Sequence, residues 1–594
     1  MPKLWRFRPH DAANVARLQS AAGVPAVVAQ LLLCRGVHEP DDARTFLDPK
    51  LTALRDPELL PGIPAAVERI MAAIAARQRI VVYGDYDVDG VAATSLLWQC
   101  LKLLGADAGY YVPSRLEEGY GLNDDALALL AEQGAKLIIT VDCGIAAPNE
   151  AETARRLGMD LVVTDHHQFG ERLPEAAALV HPALPGTAYP FDGLSGAGVA
   201  FKLAWALCQR SSGAKRVSPV LRDYLLRAVA LAALGTVADV VPLIDENRVL
   251  VRHGLESLRE RPSTGLERLL QVAELATKPR LTSEDIAFSL APRLNAAGRL
   301  GQATLAVELL TTDSTQRAQA LAEYINELNA SRQHLERSVY ALASKQIQDE
   351  FDAEGDSALV IAGRGWHAGV IGIVAGRVVE RFHRPAIMIS LDELGVKPGV
   401  GSGRSVPGFD LHGALTACGH HLVSFGGHAA AAGLKIEESK LDHFRADFCE
   451  HAASNIQPHQ REAELWIDAE APLSAFNVPT VDQIERLAPF GQGNRRPVIS
   501  ATGVRLTEPP TRMGGGGRHL SLKLEQHGVK MRAVAFGHGD WADELAQIDG
   551  PLAVAFQPII NDFRGQRKVE LHLSDWRAAE VPATTNPRTN AAIS

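Results

Sequence analysis

The stretch that decides the fold is Arg79-Ile80-Val81-Val82-Tyr83-Gly84-Asp85-Tyr86-Asp87-Val88-Asp89-Gly90. In it an apolar, β-branched run breaks into three aspartates at alternate positions and a glycine, and an apolar stretch with helical spacing follows from Val91 to Leu104. This order predicts a buried parallel strand, an acidic loop at its carboxyl end and a helix that returns the chain. Open α/β sheets bind their ligands at that edge, so the loop is the first candidate site.

The three loop aspartates, Asp85, Asp87 and Asp89, are expected to crowd together. Two carboxylates about 4 Å apart repel each other by roughly 4 kcal/mol at an effective dielectric constant of about 20. A tight cluster therefore needs a cation or raised pKa values, and a divalent metal meets that need most simply.

Two later segments repeat the pattern. One apolar run ends in Asp142-Cys143-Gly144 and the next ends in Asp165-His166-His167, with a predicted helix before each run. Three strands separated by helices, each delivering acids or histidines at the same end, predict a doubly wound parallel sheet. Asp142 taken alone could be only a helix cap. One histidine can bind a metal while the other, or Asp165, orients it or contacts the substrate.

A fourth acid lies in Gly235-Thr236-Val237-Ala238-Asp239-Val240-Val241-Pro242-Leu243. A helix is predicted from Asp223 to Leu234, and it is expected to end at the glycine of this segment. An unpaired carboxylate among so many apolar residues is costly. Asp239 is therefore the natural fourth acid of the site.

Size and composition bound the class of protein. A chain of 594 residues is too long for one core, so three or four domains are expected. The net charge of −10 argues against non-specific coating of nucleic acid, but it leaves room for a local basic groove. The six cysteines include no CxxC pair, so neither disulfides nor zinc is assumed. The start lacks the apolar core of a signal peptide and no uncharged stretch approaches about 20 residues, which favours a cytoplasmic protein without a membrane span.

The second half predicts connecting helices and a second α/β domain. Residues 314–350 are rich in Ala, Gln, Glu, Leu and Arg with few breakers, which is typical of one or two long helices between domains. A strand at 357–362 opens the next domain, which closes near Cys449. Its glycine-rich segment 399–405 carries Arg404. Backbone amides beside a guanidinium suit an anion, although such segments often only turn the chain.

From Glu462 onwards the pattern changes to short alternating strands separated by turns. Five such strands, at 503–506, 519–524, 529–536, 552–556 and 568–573, predict a small β-barrel of the OB type. Barrels of this type bind single strands through basic grooves and aromatic stacking. The candidate contacts are Arg518, Lys523, Arg532, Phe563 and Arg564. Scattered surface charge is the alternative for each of these residues.

Together the motifs resemble the DHH phosphoesterase superfamily. They are GDYDVDG (84–90), TVDCG (140–144), TDHH (164–167) and GTVADVVPL (235–243). Three more resemble its RecJ branch, whose members are single-strand-specific exonucleases that degrade DNA from the 5′ end. These are APRLNAAGRL (291–300), GWHAGVIG (365–372) and FGGHAAAAG (425–433). The resemblance covers roughly residues 60 to 580.

With this resemblance the chain divides into six expected parts. They are an N-terminal extension (1–60), a doubly wound parallel-sheet DHH catalytic domain (61–255), a helical region with a connecting helix (256–350), a DHH-associated α/β domain (351–455), an OB-type nucleic-acid-binding domain (456–581) and a disordered tail (582–594).

The resemblance also implies a metal centre. Two Mn²⁺ or Mg²⁺ ions are expected, held by Asp85, Asp87, Asp142, His166 and Asp239. Asp142 and Asp239 are the expected bridges, because a bridging carboxylate has one oxygen for each ion. Oxygen-rich ligation with a single imidazole suits Mn²⁺ or Mg²⁺ better than zinc. Val81 stands where small phosphatases of the superfamily carry a histidine, which fits the RecJ branch, and Asp89 is expected to shape the turn.

Further residues are implied to meet the DNA. His167 and His428 join the metal ligands as catalytic residues, with a structural role as the alternative for His428. Ser402 and Arg404 are expected to hold a terminal 5′ phosphate. The other predicted substrate contacts are Arg115, Arg293, Asn295, Arg299, Gly427, Arg518 and Lys523.

The predicted function is two-metal hydrolysis of phosphodiester bonds in single-stranded DNA, 5′→3′, in DNA repair and recombination. It is motivated by four acidic segments at the carboxyl ends of one sheet. A phosphodiesterase for short oligonucleotides or cyclic dinucleotides is the alternative enzyme, although such a substrate needs no connecting helices or barrel. A catalytically silent DNA-binding scaffold is the third reading, although relatives of that kind lose metal ligands that are present here. A monomer is expected, with a helicase or a single-strand-binding protein as partner by resemblance only.

Overall fold

The computed structural model describes residues 3–114, 118–352, 355–456, 463–563 and 565–578. Arg115, Arg564, the side chain of Phe563 and the predicted tail at 582–594 lie outside the described residues. The described chain forms two compact units. The smaller unit draws on Met1–Asp48, Ala463–Ala488 and Arg495–Ser594, and the larger unit on Pro49–Glu462 and Pro489–Asn494. The predicted domain boundaries stay a prediction.

The strands are β1 (Leu4–Phe7), β2 (Arg79–Tyr83), β3 (Ala108–Tyr111), β4 (Ala135–Val141), β5 (Asp160–Thr164), β6 (Ala178–Val180), β7 (Leu359–Arg364), β8 (Ala386–Leu391), β9 (Gly399–Arg404), β10 (Leu422–Gly427), β11 (Ala431–Ile436), β12 (Glu464–Ile467), β13 (Ala469–Glu470), β14 (Ile499–Leu506), β15 (Thr511–Met513), β16 (His519–Gln526), β17 (Val529–Ala535), β18 (Leu552–Phe563) and β19 (Gln566–Ala578). The α-helices are α1 (Ala12–Ala22), α2 (Ala26–Leu33), α3 (Pro40–Leu47), α4 (Ile63–Ala75), α5 (Val88–Leu103), α6 (Asp124–Glu132), α7 (Pro148–Arg156), α8 (Gly196–Ser212), α9 (Pro219–Ala238), α10 (Asp245–Glu260), α11 (Thr264–Val272), α12 (Ser283–Asp285), α13 (Ala291–Arg299), α14 (Ala303–Thr311), α15 (Thr315–Glu350), α16 (Ala368–Phe382), α17 (Leu411–Ala417), α18 (Leu441–Asn455), α19 (Val478–Glu485) and α20 (Trp541–Ala546).

A five-stranded parallel sheet in the larger unit has the order β3-β2-β4-β5-β6. Along β2, Ile80 and Val82 pack into the core formed with α4, α5, α8 and α9, whereas Val81 and Tyr83 pack into the core formed with α6 and α7. Because alternate side chains of one strand are buried on opposite faces, helices cover both faces of the sheet. The predicted doubly wound sheet is confirmed. The sequence prediction missed β6, because three residues carry too little pattern.

Two helix boundaries differ from the sequence predictions, and both matter at the site. α5 begins at Val88, so Asp89 lies in its first turn and not in a loop. α9 does not end at Gly235 but continues to Ala238. A Cβ at Gly235 would lie 2.1 Å from Oδ1 of Asp89, so this glycine permits close packing of two helices and does not terminate one.

The connecting segment is one continuous helix, α15, of 36 residues. The sheet that follows has the order β10-β11-β9-β8-β7, in which only β7 and β8 pair in parallel. Residues of α15 and α16 pack on one face of this sheet, and residues of α17 and α18 pack on the other. The predicted second α/β domain is confirmed.

The smaller unit contains a sheet in the order β13-β14-β18-β19-β17-β16-β15, with a further pairing between β14 and β16. The five predicted strands of the OB-type domain correspond to β14, β16, β17, β18 and β19. The predicted N-terminal extension contributes β1, which pairs in parallel with β12 and brings Leu4 opposite Glu464. Trp5 of β1 packs into a core with Ile467 and Val498. No local pattern could predict a pairing between residues so far apart in the chain.

No single helix of the described residues is long and apolar enough to cross a membrane. By length and composition only, α1 and α2 would meet that criterion together, as a pair bent by 112°.

Candidate active site

The acidic loop after β2 is held by its own side chains and by glycine. Asp87 caps α5, because its Oδ1 accepts the backbone N–H groups of Asp89 at 2.9 Å and of Gly90 at 3.1 Å. A Cβ at Gly90 would lie 2.6 Å from the backbone nitrogen of Asp85, so the turn requires glycine there. Asp85 itself is buried. The loop therefore presents carboxylates from a backbone with little freedom to move.

The helix α13 supports the same loop from the other side. Asn295 Oδ1 accepts the backbone N–H of Val88 at 3.2 Å. A Cβ at Gly298 would lie 2.2 Å from the carbonyl oxygen of Tyr86, so the helix and the loop are in direct contact. Asn295 thus supports the backbone of the loop, and its expected contact with substrate stays a prediction.

Asp142 follows β4 in a left-handed backbone conformation, with φ of 62°. This conformation is uncommon for residues other than glycine, and strained residues cluster at functional sites. The N-cap of the next helix, α7, is Ala147, so Asp142 does not cap that helix. The start of α8 packs so closely that a Cβ at Gly196 would lie 2.5 Å from Oδ1 of Asp142. The alternative reading of Asp142 as a helix cap is therefore wrong.

Asp165 orients the second histidine of the pair that follows β5. Its Oδ1 accepts the backbone N–H groups of His166 at 2.7 Å and His167 at 3.1 Å, and lies 2.8 Å from Nδ1 of His167. Its Oδ2 accepts the backbone N–H of Ile145 at 2.9 Å. Nε2 of His181 lies 2.9 Å from the carbonyl oxygen of His167. His167 is therefore held by Asp165, while His166 faces the other carboxylates.

Asp89 has a larger role than the shaping of a turn. Its side chain is buried, with Oδ2 accepting the backbone N–H of Gly196 at 2.6 Å and Oδ1 that of Ala197 at 3.0 Å. It therefore lies at the N-terminus of α8, where the helix dipole favours an anion. The sequence prediction missed this contact because the two partners are 107 and 108 positions away.

Asp239 reaches the site from the end of a helix. It is the C-cap residue of α9. The expectation that all four acidic segments follow strands of one sheet is therefore wrong, since only the segments after β2, β4 and β5 do so. The prediction failed because the helix continues through Gly235 and delivers the carboxylate at its last turn.

The carboxylates converge on His166. Its Nε2 lies 3.1 Å from Oδ1 of Asp142, 3.5 Å from Oδ2 of Asp239 and 3.8 Å from Oδ2 of Asp89. A second set, Asp85, Asp87 and Asp142, also has ligand atoms within 4.8 Å of one another. The structure thus brings together the five predicted metal ligands and adds Asp89. We call these six residues the acidic centre.

The donor atoms of the acidic centre suit a divalent cation. Oδ1 of Asp142 and Nε2 of His166 are buried and make no hydrogen bond with any residue that the structure describes. Buried polar atoms in this condition are rare and costly. Carboxylate oxygens with one imidazole nitrogen are the donor set that Mn²⁺ and Mg²⁺ accept.

The electrostatics of the acidic centre follow from burial and crowding. Burial, with the charges of neighbouring aspartates, raises the pKa of Asp142 well above its usual range. Burial and the charge of Asp89 raise the pKa of Asp239 to about 8. Burial lowers the pKa of His166 to about 4, so its imidazole is neutral at pH 7. Burial also acts to lower the pKa of His167, but the hydrogen bond and charge of Asp165 outweigh it and raise that pKa to about 9.

A cavity of about 300 Å³ lies beside the acidic centre. Its lining includes Tyr120, Asp165, His167 and His428. The hydroxyl of Tyr120 lies 3.1 Å from Nδ1 of His167 and donates to the carbonyl oxygen of Asp142 at 3.3 Å. His428 comes from the second α/β domain, so both domains of the larger unit line one cavity. Tyr120 could not be predicted from the sequence, since a tyrosine in a glycine-rich loop carries no distinctive pattern.

The predicted phosphate-binding residues lie against the first turns of α16. Nη1 of Arg404 donates to Oγ of Ser402 at 3.3 Å, and a Cβ at Gly372 would lie 2.8 Å from that oxygen. Nη1 of Arg299 donates to the carbonyl oxygen of Gly369 at 3.0 Å. The structure thus brings Ser402, Arg404 and Arg299 to one helix N-terminus, a place that favours anions.

Two other predicted contacts have different surroundings. Arg293 lies within the helical region, where it donates to Oδ1 of Asn326 at 2.9 Å and to the carbonyl oxygen of Ser289 at 2.7 Å. Of Arg293 and Arg299, only Arg299 contacts α16 through a described hydrogen bond. Gly427 has φ of 138°, and a Cβ there would lie 2.5 Å from the carbonyl oxygen of Ala431, so its backbone requires glycine.

The described basic candidates of the smaller unit have partners. Nζ of Lys523 lies 2.8 Å from Glu508, and Nη1 of Arg532 lies 2.7 Å from Glu570. Nε of Arg518 donates to the carbonyl oxygen of Gly515 at 3.2 Å. The exposed pair of Lys523 with Glu508 holds its cation weakly, whereas Glu570 is buried and Arg532 is half exposed. These contacts neither support nor oppose contact with DNA.

Three family models match the chain in the order of its domains. The DHH family N-terminal domain matches residues 79–233, the DHHA1 domain matches 355–454 and the RecJ OB domain matches 467–575. With the acidic centre at the edge of the parallel sheet, these matches place the chain in the DHH class of metal-dependent hydrolases.

Curated relatives narrow this class. The single-stranded-DNA-specific exonuclease RecJ of Dickeya dadantii is 36% identical over 565 residues, which are 92% of this chain and 95% of that protein. That of Bacillus subtilis is 36% identical over 97% of this chain and 71% of its own length. The crystal structure of RecJ from Thermus thermophilus in complex with Mn²⁺ superposes with a TM-score of 0.81 at 31% identity, over 97% of this chain and 80% of that one. The chain belongs to the RecJ family, and the resemblance seen in the sequence is confirmed.

Proposed function

We propose that this protein is a metal-dependent exonuclease that hydrolyses phosphodiester bonds of single-stranded DNA in the 5′→3′ direction. The observation that carries the proposal is the single helix α13, which contacts the acidic loop through Asn295 and Gly298 and contacts α16 through Arg299. One rigid element thus sets the spacing between the acidic centre and the anion-binding end of α16. A fixed spacing of that kind is what removal of nucleotides from a phosphorylated end requires.

Two Mn²⁺ or Mg²⁺ ions would be held by Asp85, Asp87, Asp142, His166 and Asp239, with Asp142 and Asp239 shared between them. RecJ of T. thermophilus has been solved with either ion, which supports this choice. When bound, such ions make water nucleophilic at neutral pH and stabilise charge on the attacking and leaving oxygens. The neutral imidazole of His166 and the unpartnered oxygen of Asp142 could each ligate a metal ion without losing a hydrogen bond to the described residues.

The residues of the adjoining cavity would hold the reacting phosphate. Asp165 engages Nδ1 of His167 and keeps the ring charged, which leaves Nε2 as the nitrogen that can donate to a phosphate oxygen. His428 lines the same cavity from the second α/β domain and would approach the phosphate from the other side. Ser402, Arg404 and Arg299, with the amides of α16, would bind the terminal 5′ phosphate.

Other parts of the proposal rest on membership of the RecJ family alone. The OB-type domain would guide the single strand, and the predicted domain boundaries would separate these functions. A monomer in the cytoplasm acting in repair and recombination, with a helicase or a single-strand-binding protein as partner, completes the proposal.

A time course of digestion tests it. A single-stranded oligonucleotide labelled at its 3′ end is incubated with the full chain and Mn²⁺, beside its duplex and a dinucleotide. We expect a ladder of labelled products on the single strand alone, shortening from the 5′ end. Rapid cleavage confined to the dinucleotide would indicate a small-nucleotide phosphodiesterase, and binding of DNA without cleavage would indicate a scaffold.

A further inference from the structure

A second group of metal-ligand side chains lies in the second α/β domain, away from the carboxylates of the acidic centre. His420 and His421 end the short turn before β10, and Asp447 lies on α18. Nε2 of His421 is 2.8 Å and Nε2 of His420 is 3.4 Å from the same oxygen, Oδ2 of Asp447. All three ligand atoms lie within 4.8 Å of one another. Two consecutive imidazoles thus converge on one carboxylate oxygen.

A third imidazole stands next to these three residues. His443 precedes Asp447 by four positions on α18, so both side chains lie on one face of the helix. The ring of His443 is stacked on that of His421, with centroids 6.2 Å apart. We call His420, His421, His443 and Asp447 the histidine cluster.

The geometry resembles the edges of a tetrahedral metal site. With metal–ligand bonds of about 2.0–2.2 Å, neighbouring ligand atoms of a tetrahedron lie roughly 3.3 Å apart. The distances of 2.8 and 3.4 Å to Asp447 lie on either side of that value. The side chain of His421 is only 10% exposed, and its Nδ1 is buried without a hydrogen bond to any described residue. The nitrogen that would bind the metal is Nε2, which faces Oδ2 of Asp447.

We propose that the histidine cluster binds one divalent transition-metal ion of the zinc class. His420, His421 and Asp447 are the ligands through Nε2, Nε2 and Oδ2, and His443 packs on His421 beside them. Two imidazoles with one carboxylate suit Zn²⁺, whereas the oxygen-rich acidic centre suits Mn²⁺ or Mg²⁺. The protein thus has two metal sites of different chemistry.

The position of this site gives it a structural consequence. His421 directly precedes β10, the edge strand of its sheet, and His428 follows the other end of that strand. A metal ion that joins His420 and His421 to α18 fixes the start of β10. The same strand carries Gly427 and leads to His428, which lines the cavity beside the acidic centre.

Metal binding to the full chain tests the proposal. Protein stripped with EDTA is dialysed against Zn²⁺ in the presence of a large excess of Mg²⁺, which competes with zinc for the acidic centre, and bound zinc is measured by atomic emission. We expect one equivalent of tightly bound zinc. His420→Ala, at a largely exposed residue, should weaken zinc binding about ten-fold or more, and Asp447→Asn should do the same. Tetrahedral absorption bands of Co²⁺ in the same site should disappear in both variants.

Two control variants test whether a loss of bound zinc is specific to the histidine cluster. His451→Ala removes a histidine one turn further along α18 that is not in the cluster, and it should leave zinc binding unchanged. Asp142→Asn damages the acidic centre and should also leave the zinc equivalent in place. Wild-type zinc binding in both His420→Ala and Asp447→Asn would overturn the proposal, as would loss of the zinc equivalent in Asp142→Asn.

Discussion

Two groups of buried charged residues in the larger unit have opposite character. Lys202 and Glu246 are both buried, and the ammonium of Lys202 forms an ion pair with the carboxylate of Glu246. The hydroxyl of Tyr189 and the backbone N–H of Arg55 also donate to Glu246. In the acidic centre the buried carboxylates face one another and a neutral imidazole, and Asp142 Oδ1 has no hydrogen bond among the described residues.

This difference distinguishes buried charges that stabilise the fold from buried charges that serve the active site. A buried ion pair with satisfied hydrogen bonds is complete within the protein, and removing one partner leaves an uncompensated charge. A buried cluster of like charge is incomplete and is stabilised only by protons or by cations from solution. Loss of a residue should therefore affect mainly stability in the first group and mainly activity in the second.

The largest expected effect is that of Asp142→Asn on cleavage. Asparagine tolerates the left-handed backbone of this position, so the fold is preserved while one oxygen donor is lost. Because Asp142 is proposed as a shared metal ligand, its loss should cost several kcal/mol of transition-state stabilisation, which would lower kcat by about a thousand-fold or more. Cleavage of a labelled single strand measures the loss, and binding of DNA is expected to persist. Full turnover in this variant would remove Asp142 from the proposed site.

The second group should respond in the opposite way. Lys202→Met leaves the carboxylate of Glu246 buried beside fewer partners, and we expect the free energy of unfolding to fall by about 3–5 kcal/mol. Urea denaturation measures this change, and cleavage per folded molecule should stay the same. The double variant Lys202→Met/Glu246→Gln should lose less than the sum of the two single changes, because the neutral amide removes the uncompensated charge. A stable but inactive Lys202→Met protein would contradict the comparison.

Removal of metal should make stability depend on pH through the acidic centre. The folded-state pKa values of Asp142 and Asp239 are raised above the ordinary value of 3.8, so the folded protein binds more protons than the unfolded chain up to about pH 8. Their contribution to the free energy of unfolding therefore falls as the pH rises through that window. Urea denaturation in EDTA should show this loss between about pH 5 and about pH 8.5, reduced in Asp239→Asn. Mn²⁺ should restore stability at the higher pH, and equal stability at both pH values without metal would contradict the electrostatic argument.

Much of this site could be predicted from the sequence, because most of its residues directly follow strands that can be recognised from short apolar runs. Each strand that ends in acids or histidines carries its own apolar run, so Asp85, Asp142 and His166 could be assigned to one sheet edge. Asp239 could be named but not placed, since Gly235 lies inside a helix for the sake of packing against Asp89. The role of Asp89 could not be predicted, because its side chain accepts hydrogen bonds from α8, which is distant in the chain.

The rest depends on contacts between distant segments. The pairing of β1 with β12 joins Leu4 to Glu464, which are far apart in the chain, and hydrophobic pattern alone specifies no partner for a four-residue strand. The positive φ of Asp142 follows from tertiary packing and not from its neighbours. The histidine cluster could not be predicted either, because Asp447 becomes a ligand candidate only when His420 and His421 approach it.

A smaller effect is expected at the proposed phosphate-binding end of α16. Arg404→Ala removes a guanidinium worth about 1.5–3 kcal/mol in a charged hydrogen bond, so the preference for a 5′-phosphorylated strand over a 5′-hydroxyl strand should fall about ten- to a hundred-fold. The measured quantity is the ratio of kcat/KM for the two strands. Arg364→Ala is the matched control, because Arg364 lies in the same sheet and pairs with Glu438. An unchanged ratio in Arg404→Ala would place the end recognition elsewhere.

The smallest effect is expected in the smaller unit, where Lys523 is already paired with Glu508 at 2.8 Å. An exposed pair of this kind is worth about 0.2–1 kcal/mol, so Lys523→Ala should weaken binding of a single strand less than about five-fold. The informative variant is Glu508→Gln, because it removes the competing anion and leaves the cation for a DNA phosphate. If Lys523 contacts the strand, Glu508→Gln should tighten binding and increase its dependence on salt, whereas Lys523→Ala should reduce that dependence. If the salt dependence is unchanged in both variants, Lys523 does not contact DNA. Lys523 and Glu508 would then interact only within the protein, as Lys202 and Glu246 do.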